Sequence, residues 1–152
     1  MIITKTEIRD LAFYANFDTA DIRDTYINIA QENTLKPILR DKLYAQVIGG
    51  SPTADIVTLR DDYCKPLVAF AVKSMVIAST SPRPTNVGAG YATIPNTAPS
   101  ADATDDALNV NDQLVAQLRQ RLITYLRDND ETYAFEEFQS NREFITNKIF
   151  IP

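Results

Sequence analysis

Residues 67–78 are apolar almost all round: Leu67, Val68, Phe70, Val72, Met75, Val76 and Ile77 leave no continuous polar face. A helix of that composition is stable in water only when other elements cover it. The segment therefore predicts a central helix, with Lys73 and Ser74 as its wet edge, and calls for amphipathic helices around it. It does not predict a membrane span. The longest uninterrupted apolar run, 66–72, falls far short of the ~20 residues that cross a bilayer.

The chain before this segment reads as helices with clear punctuation. Thr4 and Glu7 have the spacing of a capping box, opening a short helix through Ile8 and Leu11. Asp18 or Thr19 caps the next, on which Ile22, Tyr26, Ile29 and Ala30 share one face. That helix should stop near Thr34 or Leu35, because Pro37 disfavours helical backbone at Lys36. Pro37 then sits in the first turn of a third helix with Leu39, Leu43 and Val47 as its seam. Gly49 and Gly50 end it, glycine being suited to the left-handed conformation past a helix end. Ser51-Pro52 opens a fourth helix, with Ser51 as cap and Ile56, Leu59 and Tyr63 as its face. Lys65-Pro66 marks a further break or kink. The segments around Lys36-Pro37 and Lys65-Pro66 echo each other and read as two proline-initiated helices.

Composition changes after the central helix. Residues 81–103 hold Pro82, Pro84, Pro95, Pro99, Gly88 and Gly90, with Arg83 and Asp102 as their only charges. So long a connection is usually functional or disordered. Its 85–94 portion has turn residues flanked by Val87, Tyr91, Thr93 and Ile94, a pattern for a floppy loop, a loose hairpin or a segment that orders against a neighbour. Thr104 or Asp105 caps a last long helix, with Asp105 and Asp106 favourably placed in its first turn. Leu108, Val115, Leu118, Leu122, Tyr125 and Leu126 run down one side, and residues 128–130 end it. The tail carries Tyr133, Phe135, Phe138, Phe144 and Phe150, a second capping box over 140–143, and an apolar end, Ile149-Phe150-Ile151-Pro152. Such an end either packs on its own domain or docks into a partner, by strand addition for example.

The chemistry-bearing residues are sparse. Among 152 residues there is no histidine, which removes the usual general base and metal ligand and every Ser-His or Cys-His nucleophile pair. The single cysteine, Cys64, forms no intrachain bridge and reads as a reduced, partly buried side chain. No P-loop or dinucleotide fingerprint occurs. Acidic pairs stand at 61–62, 105–106 and 136–137, but neighbours on a helix point about 100° apart and do not converge on one substrate. The net charge of −5 and pI of about 4.7 argue against a surface built to grip nucleic acid or anionic lipid. The start, MIITKTEIRD, lacks the apolar segment of a signal peptide. These features predict a soluble, non-enzymatic protein of a reducing compartment, without cofactor.

The run 24–44, DTYINIAQENTLKPILRDKLY, is followed by Tyr63-Cys64-Lys65-Pro66-Leu67, by Asn86-Val87-Gly88, and by an Arg-Leu-Ile-Thr-Tyr-Leu core at 121–126. In that order these blocks resemble small structural proteins of tailed bacteriophages of Bacteroidetes-type hosts, including crAss-like phages. The resemblance covers roughly residues 1–135, and its motifs persuade by order rather than singly. It implies a head–tail connector, also called an adaptor or neck ring protein: a helical bundle assembling as a ring, usually twelvefold, below the portal. The family carries no catalytic residues, and the loop here is longer than usual.

The expected fold is mainly α, a bundle of about five to six helices over 1–135 with the loop 81–103 inserted and a tail at 136–152. The expected partners are further copies of the chain, the portal protein, and a further connector or tail protein. DNA passes through without being specifically bound, no membrane is engaged, and the protein resides at the head–tail junction of the virion after synthesis in the host cytoplasm. The low-charge loop and apolar tail, segments suited to ordering on assembly, give the expected interface residues Asn86, Val87, Tyr91, Ile94, Phe144, Ile149, Phe150 and Ile151. Two other classes compete: a small helical protein-binding adaptor or regulator, and a carboxylate enzyme using Mg²⁺ or Mn²⁺.

Overall fold

Thr4 folds the chain into its first helix by the expected capping box: its hydroxyl accepts from the Glu7 backbone N–H while the Glu7 carboxylate accepts from the Thr4 backbone. The structure, a computed structural model, describes residues 1–50, 52–80 and 101–133. Among these the order is α1 (Lys5–Ala12), a 3₁₀ turn (Thr19–Asp21), α2 (Asp24–Ala30), α3 (Lys36–Ile48), α4 (Ala54–Thr58), α5 (Lys65–Thr80), α6 (Ala101–Asp128) and α7 (Asp130–Tyr133). The described residues are thus mainly helical and contain no strand. The segment expected to form a loose hairpin lies outside them.

Helix α5 is the central element, as its apolar composition demands. It packs against α1, α2 and α6, and Leu67, Val68, Ala69 and Val72 have no exposed surface. Each large side chain so buried contributes roughly 1.5–3 kcal/mol. The wet edge is broader than Lys73 and Ser74: both are half-buried, and Ala78 and Ser79 beyond them are exposed. The α6 stripe follows the sequence reading, with Leu122 and Leu126 fully buried and Leu108, Val115, Leu118 and Tyr125 partly so.

Both Lys-Pro steps differ from expectation in the same way. Instead of a break, α2 runs into α3 through a wide π-type turn (Gln31–Leu35), and α4 runs into α5 through another (Leu59–Cys64). Lys36 (φ −59°, ψ −39°) and Lys65 (φ −60°, ψ −48°) are both helical. A proline inside a regular helix lacks an N–H and crowds the carbonyl four residues back. A π turn adds one residue to the turn, opening room for the ring while the helix continues. The echo between the two segments is therefore a repeated structural device: each proline lies in the first turn of its helix, as expected, but that helix continues from a π turn instead of following a break.

Other boundaries also shift. Helix α2 begins at Asp24 rather than after Asp18, whose carboxylate instead caps the 3₁₀ turn through the Ala20 N–H. The later start places Ile27 and Ala30 inward and leaves Ile29 46 % exposed, although Ile22, ahead of the helix, is buried. Gly49 ends α3 in extended backbone (φ −67°, ψ 158°), not left-handed; a Cβ there would come within 3.1 Å of the Ala45 carbonyl, so close approach explains the glycine. Thr53, not Ser51, precedes α4, and Pro52 lies outside that helix. Helix α6 starts at Ala101, taking residues 101–103 from the expected loop and putting Thr104 inside the helix, buried, rather than at its cap.

Two polar side chains tie the core. Gln31, 5 % exposed, accepts from the Ile2 backbone N–H at 2.7 Å and so pins the N-terminal segment, whose Ile2 and Ile3 are buried. Asn111 donates to the Phe70 carbonyl and the Ser74 hydroxyl, fixing α6 against α5. Arg40 departs from regularity: it interrupts α3 at φ 61°, ψ 173°, a region essentially reserved for glycine, and its Nε is buried without a hydrogen-bond partner.

Leu67→Ala should cost about 2–5 kcal/mol in urea unfolding, whereas Ile29→Ala, on the exposed side of α2, should stay within about 0.5 kcal/mol. Arg40→Gly should raise stability by about 1 kcal/mol, opposite in sign to the usual glycine penalty within a helix, because it releases positive-φ strain. Equal loss for Leu67→Ala and Ile29→Ala, or a destabilising Arg40→Gly, would contradict the packing described.

Candidate interaction surface

Several carboxylates of the described residues are engaged as structural partners. Lys65, beside its proline, donates to Glu7 of α1 at 2.7 Å and lies 3.1 Å from Asp61 one turn earlier. The hydrogen bond from Lys65, then that from the Thr4 backbone, holds Glu7 below its usual value. Asp61 is lowered first by Arg60 and then by Lys65. Burial works to lower the Lys65 ammonium, but its bonds to the two carboxylates outweigh that and hold it high. The three groups stabilise one another's charged forms, which clamps α1 to the α4–α5 junction and leaves none poised for proton transfer at neutral pH.

Cys64 is fully buried rather than partly so, and desolvation pushes its thiol up to about 12. A thiol so raised is a poor nucleophile and metal ligand. Among the described residues no cluster of three or more His, Cys, Asp and Glu side chains is positioned to hold a metal ion. Asp105 and Asp106 are exposed on α6, and the 136–137 pair lies outside the described residues.

Aromatic side chains build the junction of the long helices. Tyr63 stacks on Tyr125 with ring centroids 4.0 Å apart, and the Arg121 guanidinium sits 5.0 Å from the Tyr63 ring. Tyr125 and Tyr133 share a hydrogen bond at 3.3 Å, and Tyr133 donates to the Asp55 carbonyl at 3.0 Å. Desolvation first, then Tyr125, keeps the Tyr133 phenol protonated. Two clefts flank this junction. One, of about 390 Å³, lies between the end of α3, α4 and α7 around Gln46, Asp55 and Tyr133. The other, of about 410 Å³, is a shallower trough over Tyr63, Gln117, Arg121 and Tyr125. Neither is lined by a nucleophile paired with a base.

Three of the four sequence blocks that carry the phage resemblance meet in this core. Residues 24–44 span α2, the π turn and the first part of α3, of which α2 and the turn pack on α5; the Lys65-Pro66 step starts α5, and the 121–126 block of α6 stacks on Tyr63. The fourth, Asn86-Val87-Gly88, lies outside the described residues. So do all the interface residues expected from sequence: Asn86, Val87, Tyr91, Ile94, Phe144, Ile149, Phe150 and Ile151.

The exposed apolar surface instead includes Leu11, which the sequence reading placed on the first helix and which is 44 % exposed in the last turn of α1, and residues that reading does not single out. Tyr14, past the end of α1, is 86 % exposed. Val110 is 61 % exposed and Leu114 38 %, one turn apart on α6 beside its buried stripe. A second apolar periodicity on α6, through Ala107, Val110 and Leu114, is the signal that marks this flank in the sequence. Among the described residues no helix is long and apolar enough to cross a membrane.

Lys65→Met should destabilise the protein at pH 7 by about 1 kcal/mol, allowing for solvent screening of the partly exposed carboxylates. Glu7 and Asp61 have folded values below their ordinary 4.5 and 3.8, so their contribution is present above those values and is lost as pH falls through the lowered ones. The gap between variant and wild type should therefore narrow below about pH 4 in urea titrations; a gap independent of pH would contradict the clamp.

No family model, no curated protein and no solved structure matches this chain.

Proposed function

We propose that this chain is a non-catalytic structural protein of a tailed-phage virion, a head–tail connector subunit that assembles with its own kind as a ring below the portal. The single observation that carries the reading is the order of the four sequence blocks along the chain, a resemblance that covers most of its length. The convergence of three of them on one core is consistent with their belonging to a common fold. Lys65, Cys64 and the tyrosines serve packing in this reading, which suits a part whose work is binding.

The acidic balance fits passage of DNA. A ring of about twelve copies, each at −5, carries roughly −60, which repels phosphate and avoids a lumen to which DNA would stick. In this proposal the loop around Asn86 and Tyr91 and the tail around Phe150 contact neighbouring subunits or the portal and a further connector, and binding supplies the burial that those segments require.

Sizing with light scattering, on the full chain alone and mixed with the portal protein of the same phage, tests this. The expected result is a species of about twelve copies, alone or on the portal, that is lost when 136–152 is removed or 85–94 is replaced by a short Gly-Ser linker. No portal binding would overturn the connector reading. Unchanged assembly of both truncations would overturn the assignment of the loop and tail as the interface.

A further inference from the structure

We propose that α3 is a two-state element hinged at Arg40: broken there in the form described, and able to close into one continuous helix that turns Val47 outward. Arg40 is the one residue of α3 whose backbone is not helical, at φ 61°, ψ 173°. It is also the only non-glycine residue with positive φ among those described. The run 36–48 holds no glycine, and arginine is one of the stronger helix formers, so local preference at position 40 is for unbroken helix. A conflict of this kind between local preference and fold marks strained positions of the sort found in switching segments.

The packing shows what holds the break. Ile38 and Val47 are nine residues apart, about two and a half turns, so a regular helix places them on opposite sides. Both are buried, at 3 % and 1 % exposure. A break between them lets both face the interior. The residues before it follow the π turn seated on α5, whereas those after it pack against α4 and lead to Gly49 and Gly50. The second half is thus the part that moves. Arg40 and Val47, seven residues apart, share one face of the continuous helix and turn out together.

Two effects oppose each other. Burial of Val47 favours the broken form. Against it stand the strained backbone of Arg40 and its Nε, which is buried without a hydrogen-bond partner among the described residues. These contributions are of the same order, so the two forms lie close in free energy. Whatever binds the continuous form better draws the balance towards it. The hinge belongs to the free chain and is independent of the connector reading, which its failure would leave unaltered.

Spin labels at Asn28→Cys on α2 and Ala45→Cys on α3, both exposed positions, report the hinge as a distance distribution in frozen solution of the full chain. Cys64 stays in place, being wholly buried, and thermal melts confirm that each variant is folded. The wild type should show mainly the distance of the broken form, and Arg40→Gly that distance alone, since glycine accepts φ 61° without strain. Val47→Ala should raise the ratio of continuous to broken form by about tenfold and bring in a second defined distance. Val47→Thr, of nearly the same shape, should act in the same direction through its hydroxyl, and serves where the smaller side chain loosens the fold. Adding Arg40→Gly to either should remove the second distance. A single distance in both Val47 variants would overturn the proposal. So would a second distance that persists with Arg40→Gly, or a broad distribution without a second maximum, which is local unfolding and not a hinge.

Discussion

The structure depends on covering α5. A helix with Leu67, Val68, Ala69 and Val72 wholly buried has only a narrow edge to give to water, so α1, α2 and α6 are arranged by the need to enclose the rest of it. The polar contacts then choose among the ways of doing so. Gln31 draws the N-terminal segment in, Asn111 sets α6 against the Phe70–Ser74 turn, and Lys65 ties α1 to the start of α5. Each satisfies a group that would be costly to leave unpaired in the interior.

The two Lys-Pro steps show how helices reach that centre. Each proline follows a π turn, so α2 continues into α3 and α4 into α5 with a change of direction but no loop. The second step has an added consequence: the lysine before Pro66 is turned onto Glu7 and Asp61. The same short motif thus serves as a bend and, at one of its two sites, as a clamp. Arg40 is the cost side of this arrangement, a strained residue that interrupts α3 four residues after the first step.

The element types were legible from local pattern, because apolar periodicity, the Thr4 capping box and the α6 stripe are each decided within a few turns. The boundaries that failed were decided by tertiary context. Proline was read by its ordinary preference, and the π turns ahead of Lys36 and Lys65 let both stay helical instead. Ile29 was placed inward because the α2 start was set too early by several residues, which rotates the face. Contacts between residues far apart in the chain, such as Gln31 with Ile2 or Tyr133 with Asp55, leave no periodic trace to read. Of the interaction surface, the expected residues lie outside the described ones. The exposed Val110–Leu114 flank was present in the sequence as a second stripe, but the stronger stripe beside it masks it.

A chain whose cysteine is sealed in the core, whose engaged carboxylates hold helices together and whose exposed surface carries apolar patches is suited to binding copies or partners. The connector reading gives that a place in the virion. That proposal is tested most directly by quantitative mass spectrometry of purified tailed-phage particles whose genome is shown to carry the gene for the chain. The account predicts the chain in the particles at about the same copy number as the portal protein. Its absence from particles, with the chain abundant in the infected lysate, would contradict the account.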